Sequence, residues 1–403
     1  MSSVNKEQID RWLREGVITQ EQATKMLADS TEYRKEQSSN KLIIVISTVG
    51  SILLGIGAIL FVASNWAVLP DIVKILILVG STFGTYWAGY YLKYQRQNLP
   101  KVGTSLIFLG ALLFGATVFL IAQMYNVNAN SHILVLIWLL GILPFVYGFS
   151  SPSIAVLATL LFCLWIGLFV FKGLDFYHAQ GDLFKLPVLY LVLGVLLSSI
   201  GAMHHLSDKL KDVAWVYKLF GIKIALTSLF FLTFRFFSGF YEDLYFFSRS
   251  LETSSQFTLS FVIFSILAIV LTMAVLLFNP SKSRTNTLEN LVALGLAGVA
   301  LLFFFFPATT NIYVLFFNLT LAAVVFALLF VGYQREDMRI VNTGMFWLSA
   351  LILVRYFDFF WALLPRSLFF MVGGLILVLG GIALEKKRRQ LKTKFTAVST
   401  VSQ

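Results

Sequence analysis

Residues 102–123 read VGTSLIFLGALLFGATVFLIAQ, twenty-two in a row without a charged side chain. At about 1.5 Å of rise per residue, a helix of roughly twenty such residues spans the hydrocarbon core of a bilayer. Lys101 stands directly before the run and the polar stretch MYNVNANS follows it. The same pattern recurs along the chain, with apolar runs over 42–63, 72–92, 102–123, 132–149, 153–171, 187–204, 219–237, 257–278, 289–306, 310–332, 340–357 and 367–384. This predicts an all-α, polytopic α-helical membrane protein of about twelve transmembrane helices. The gaps 150–152 and 307–309 are so short that the helices they join must form tight hairpins.

Composition agrees. Of 403 residues, 58% are hydrophobic and 13% charged, with 40 Phe. Soluble domains carry about a quarter charged residues, and a soluble chain of this size needs polar surface that this one lacks. The first forty residues are polar, so no cleavable signal peptide is expected and the first apolar run serves as the targeting signal. The single cysteine, Cys163, lies in an apolar run and reads as a buried thiol, with no disulfide framework.

The net charge of +11 is explained by where the bases sit. If the N-terminus is cytoplasmic and twelve spans follow, 24 of the 31 Lys and Arg fall on cytoplasmic segments. The opposite side holds seven bases and seven acids. This is the positive-inside distribution of an inserted membrane protein, with both termini in the cytosol. It accounts for the basic balance without nucleic acid.

The segments outside the bilayer divide into a cytoplasmic amphipathic helical hairpin over 1–35, a linker over 36–41, and a basic tail over 385–403 after the 42–384 bundle. In the hairpin, Ile9, Trp12 and Leu13 form one apolar stripe, and Ala23, Met26 and Leu27 form another. Gly16 separates the helices, and Thr19 with Gln22 three residues on is a capping box. So small a hairpin cannot bury a core alone, so residues 5–30 are expected to meet a second copy, a protein partner or the membrane face. The tail bases Lys386, Lys387, Arg388 and Arg389 attract anionic lipid headgroups.

Four stretches carry a family likeness: WLREGVITQEQATKML (12–27), GSILLGIGAILFVASNW (50–66), GALLFGATVFLIAQMYNV (110–127) and LIWLLGILP (136–144). In this order they resemble the bacterial predicted-membrane-protein family known as domain of unknown function 2157. VNTGMFWLSALILVRYFDFF (341–360), followed by a Gly-rich span and a basic tail, is similar to the same group. The resemblance covers residues 5–145 and 341–390. It implies a multi-pass protein of the bacterial inner membrane and no particular activity.

Polar groups within a membrane are costly and therefore mark candidate sites. Asn65 and Trp66 end the first span, and Gln123, Tyr125 and Asn126 end the third. These two ends would share the outer side, where they either cap helices at headgroup depth or line one pocket. Arg355 and Asp358, three apart, could pair on one helix face as a packing device or as a ligand site. Asn318 is the deepest amide and is expected to bond a neighbouring helix. Arg235 can snorkel to headgroups. Gly80 with Gly84, Gly194 with Gly201 and Gly373 with Gly380 fall at helix-packing spacings. Asp175, Asp182, Glu242 and Asp243 read as solvated charges of outer loops near 172–186 and 236–256.

No catalytic, cofactor-binding or metal-ligating set is recognisable; His204 and His205 are adjacent and point apart on a helix. The sequence thus supports a non-enzymatic scaffold or regulator that acts through its hairpin. The alternative is a transporter or lipid-handling protein that moves a small or amphipathic substrate between its helices. A cavity lined by Asn318, Gln123 or the Arg355–Asp358 pair would favour transport, and a solid Gly-packed bundle the scaffold.

Overall fold

Among the described residues of the computed structural model, each of the twelve apolar runs is helical except at a few run ends. The structure describes residues 19, 22, 43, 45–57, 60–61, 64, 69–127, 131–172, 176–234, 237, 253–278, 284–306, 310–360 and 366–401. The helices are α1 (Val45–Gly57), α2 (Asp71–Tyr90), α3 (Pro100–Met124), α4 (His132–Gly148), α5 (Pro152–Val170) and α6 (Phe176–His204). They continue with α7 (Lys211–Leu232), α8 (Ser255–Phe278), α9 (Arg284–Phe305), α10 (Thr310–Gln334), α11 (Met338–Phe360) and α12 (Arg366–Val401). No strand occurs among the described residues. The protein is an all-α, multi-pass membrane protein.

Nine of the twelve, α2, α3 and α5–α11, are long and apolar enough to cross a membrane, judged on the described residues. The other apolar runs lie in the shorter α1, in the 17-residue α4 and in α12, which continues through the basic tail. Within residues 1–35, the capping box forms: Thr19 N–H donates to Gln22 Oε1 at 2.9 Å and Gln22 N–H to Thr19 Oγ1 at 3.3 Å. The expected hairpin over 1–35 apart from Thr19 and Gln22, the linker 36–41, the 307–309 gap and Arg235 lie outside the described residues.

Contacts divide the chain into two compact units, Met1–Phe145 with Ser399–Gln403, and Val146–Val398. In the first, α2 and α3 cross where Gly89 meets Gly103; a Cβ on Gly89 would stand 2.8 Å from the Gly103 carbonyl oxygen. Two buried hydroxyls, Thr82 and Thr117, join the same helices at 3.1 Å. Trp138 on α4 donates its indole N–H to the Ala111 carbonyl at 2.9 Å. Each polar group finds a partner, as an apolar surround requires.

In the second unit, α6 and α7 form the core. Val188, Leu189, Leu191, Leu193 and Leu229 are fully buried there. The two backbones touch because glycines sit at the crossings. A Cβ on Gly194 would lie 2.5 Å from Ala225 N, and one on Gly201 would lie 2.5 Å from Lys218 N. Gly221 presses against Ser198 from the other side. The expected use of Gly194 and Gly201 therefore holds, whereas Gly80, Gly84 and Gly380 have open space where a Cβ would stand. The Ser199 and Thr272 hydroxyls tie α6 to α8 at 2.7 Å.

Helix starts depart from the sequence reading in two places. Lys211–Leu232 begins eight residues before the apolar run at 219, because α7 packs on α6 from its first turns. The stretch 172–186, expected to be loop, is helical from Phe176. Asp182 is fully buried rather than solvated: it accepts the Ser254 N–H at 2.8 Å and the Ser254 Oγ–H at 2.5 Å. Ser254 in turn caps α8, accepting the Phe257 N–H at 3.1 Å, so Asp182 secures the start of that helix.

Candidate functional site

Ionised groups inside membrane-spanning helices are the strongest pointers to function. The second unit brings two of them together with a third charge from a helix end. Lys218 on α7 and Glu289 on α9 pair at 2.8 Å. Arg335, in the turn after α10, reaches the same Glu289 Oε2 at 2.7 Å and also bonds Asn286. Lys218 is 8% exposed because α7 carries it two turns past its N-terminus, against Gly201 of α6. Arg335 is delivered by the helix end that precedes it. Glu336 adopts φ 55°, and Asp337 N–H returns to the Gly332 carbonyl at 3.0 Å, a left-handed cap that turns the chain sharply into α11.

Aromatic rings wrap this cluster. The Trp215 ring lies 5.9 Å from Lys218 Nζ and 5.6 Å from the Arg339 guanidinium, and His205 meets it edge-on at 5.2 Å. Burial, reinforced by the neighbouring Lys218 and Arg335, pushes the His205 imidazole down to about 4. His205 is therefore neutral at pH 7 and adds no charge.

Beside the cluster lies a partly open cavity of about 80 Å³ between α6, α7, α9 and α10. Its walls are apolar, with Ile222, Leu226 and Ala293 among them, while Lys218, Glu289 and Asn290 supply charge and polarity. An apolar hollow with a few convergent polar groups has the character of a small-molecule site.

A second polar group forms further along α7. Asn318 on α10 donates to the Thr233 carbonyl at 3.3 Å and to the Val314 carbonyl at 2.7 Å. Arg355 on α11 reaches the Thr233 hydroxyl at 3.4 Å and lies 5.6 Å from the Phe234 ring centre. Thr233, which terminates α7, is fully buried. Asn318 thus bonds a neighbouring helix, in the manner expected of it, and it shares Thr233 with Arg355.

The residues singled out from sequence fall in different places. Asn318 and Arg355 come together in the second unit. Gln123, Tyr125 and Asn126 are exposed at the end of α3. Asn126 takes φ 54° and Val127 N–H returns to the Ala122 carbonyl at 2.8 Å, closing the helix in a left-handed cap that Asn tolerates well. Asn65, Trp66 and the side chain of Asp358 lie outside the described residues, and so does the Arg355–Asp358 pairing. Among the described residues, no group of three His, Cys, Asp or Glu side chains could hold a metal ion.

The Lys218–Glu289–Arg335 cluster escaped the sequence reading. Lys218 falls just before the apolar run at 219, among the bases of a cytoplasmic segment, and Glu289 sits at the first position of its own run. The legible signal was that single carboxylate at the head of a span, which requires a cation from another helix.

No curated protein and no solved structure matches the chain. Residues 10–155 match the family described as Predicted membrane protein (DUF2157), so the resemblance carried by the first third of the sequence is shown over that stretch.

Proposed function

We propose that this protein is a non-enzymatic scaffold or regulator of the bacterial inner membrane, with both termini cytoplasmic and the N-terminal hairpin as its interaction element. The observation that carries this reading is the α6–α7 crossing, where Gly194, Gly201 and Gly221 let two backbones meet with no room for a Cβ. Packing this close resists sliding and suits a fixed platform better than a gate. The Thr19–Gln22 capping box supports a helix start in the hairpin. Residues 5–30 would then hold a second copy or a protein partner, while the tail around Lys386 to Arg389 would rest on anionic lipids.

Removing residues 1–35 tests this directly. The shortened chain should insert in the membrane as before but lose its oligomeric state or its crosslinked partners, measured by light scattering in detergent and by crosslinking mass spectrometry. Unchanged association would sink the interaction role.

The cavity beside Lys218 favours a second reading, in which the bundle handles an amphipathic molecule. That cavity is not lined by Asn318, Gln123 or Arg355, the residues that a transport path was expected to use.

A further inference from the structure

We infer that Lys218 and Arg335, with the adjoining cavity, form a binding site for the phosphate headgroup of an anionic phospholipid, whose first methylenes enter the hollow between α6, α7, α9 and α10. The inference stands apart from the scaffold reading and from the basic tail.

Charge comes first. One carboxylate, Glu289, faces two cations, and both reach the same oxygen. Around them, Asp337 also acts on Lys218, and Arg339 lies over Trp215. Lys211 is matched by Asp208 at 2.6 Å, His205 is neutral and Glu336 is exposed. Within the directly bonded triad, Lys218 and Arg335 against Glu289 leave one positive charge in excess, while the half-buried Asp337 and the exposed Glu336 and Arg339 stand around it. A partly buried excess of this kind attracts an anion.

Donor capacity comes second. A lysine carries three N–H donors and an arginine five. Among the described residues, Lys218 Nζ bonds only Glu289, and Arg335 bonds Asn286 and Glu289 through one terminal nitrogen. Two protons of Lys218, and the Nε and second terminal nitrogen of Arg335, remain for the oxygens of a phosphate. Charge-assisted bonds of that type are the strong ones.

Shape and depth exclude a bare ion as the better fit. Lys218, Glu289 and Asn290 stand at the polar side of a hollow whose other walls include Ile222, Ala225, Leu226 and Ala293, surfaces that suit methylenes rather than a hydrated anion; Arg335 lies beside the hollow, on Glu289. About 80 Å³ admits only a few such groups, and the open side lets the rest of a chain continue along the helices. Trp215, bracketed by Lys218 and Arg339, places the site where aromatic and basic side chains meet headgroups.

The test titrates the delipidated full-length chain in detergent with phosphatidylglycerol, phosphatidylcholine or inorganic phosphate, and counts bound lipid by native mass spectrometry. Phosphatidylglycerol should bind about tenfold tighter than phosphatidylcholine, whose phosphate offers the same oxygens but whose choline brings a further cation up to Lys218 and Arg335. Arg335→Gln should erase that preference. Ala293→Phe, which fills the hollow and leaves the charges in place, should weaken both lipids. Deleting residues 385–403 should leave the preference intact. The proposal is overturned if Arg335→Gln keeps the preference, if the preference disappears with the tail, or if inorganic phosphate binds as tightly as the lipid. Should Arg335→Gln not yield a folded chain, Ala293→Phe decides alone, and unchanged phosphatidylglycerol affinity rejects the site.

Discussion

The two compact units solve the same problem with different chemistry. In the first, helices are joined through neutral groups: the Thr82–Thr117 hydroxyls, the Trp138 indole on a carbonyl, and the Gly89–Gly103 crossing, while the buried Lys74 pairs with Asp71 on its own helix. In the second, glycine crossings and the Ser199–Thr272 hydroxyl pair do similar work, but a charged triad and the Thr233–Asn318–Arg355 group are added. Neutral contacts suffice to hold a helix bundle in lipid. Charges there are expensive, and only the second unit, among the described residues, shares them between helices, which packing alone does not require. The difference directs attention to unit two as the seat of function.

Glu289→Gln presses hardest on this contrast. It would leave Lys218 and Arg335 partly buried around a neutral amide, at a cost of about 2–3 kcal/mol after allowance for partial exposure. A lowered midpoint of thermal unfolding in neutral detergent is the expected result. No change would mean that the triad is as dispensable as a surface pair.

Acid provides an intermediate effect. The folded His205 titrates at about 4 against an ordinary 6.5, so the unfolded chain takes up the proton first. Stability from this group is therefore intact above about pH 6.5 and declines as pH falls toward 4. Comparing unfolding midpoints at pH 7 and pH 5 for the native chain and His205→Gln should show a smaller acid loss in the variant. Equal losses would place the acid sensitivity elsewhere.

Thr82→Val should produce the smallest change, about 0.6 kcal/mol, because hydroxyl pairs between membrane helices contribute modestly and Thr117 keeps its bonds to the Leu78 and Leu113 carbonyls. A loss as large as that of Glu289→Gln would erase the distinction between the units.

Much of this was legible in advance. Helix locations followed from apolar runs, and the Gly194 and Gly201 spacing pointed to a close crossing that the structure contains. Asn318 was recognised as a buried amide in need of a partner, although Thr233 and Arg355 as its neighbours could not be. Asp182 was misread because a carboxylate near a span end resembles a loop charge until Ser254, 72 positions away, is brought to it. Lys218 lies before the apolar run that begins at 219, yet it is on α7, because that helix begins where packing on α6 starts rather than where hydrophobicity does.

The sequence by itself determined the solvent and the secondary structure. Burying so much apolar surface requires lipid, and lipid requires backbone groups bonded within each segment, hence helices. Only the tertiary structure decided which polar groups share a site. Lys218, Glu289 and Arg335 stand far apart along the chain, and their meeting depends on which glycines let α6 and α7 touch and which turns return α10 and α11 to the same end. Local patterns report on neighbours within a helix turn or two; contacts between helices are set by packing, which no single run of residues encodes.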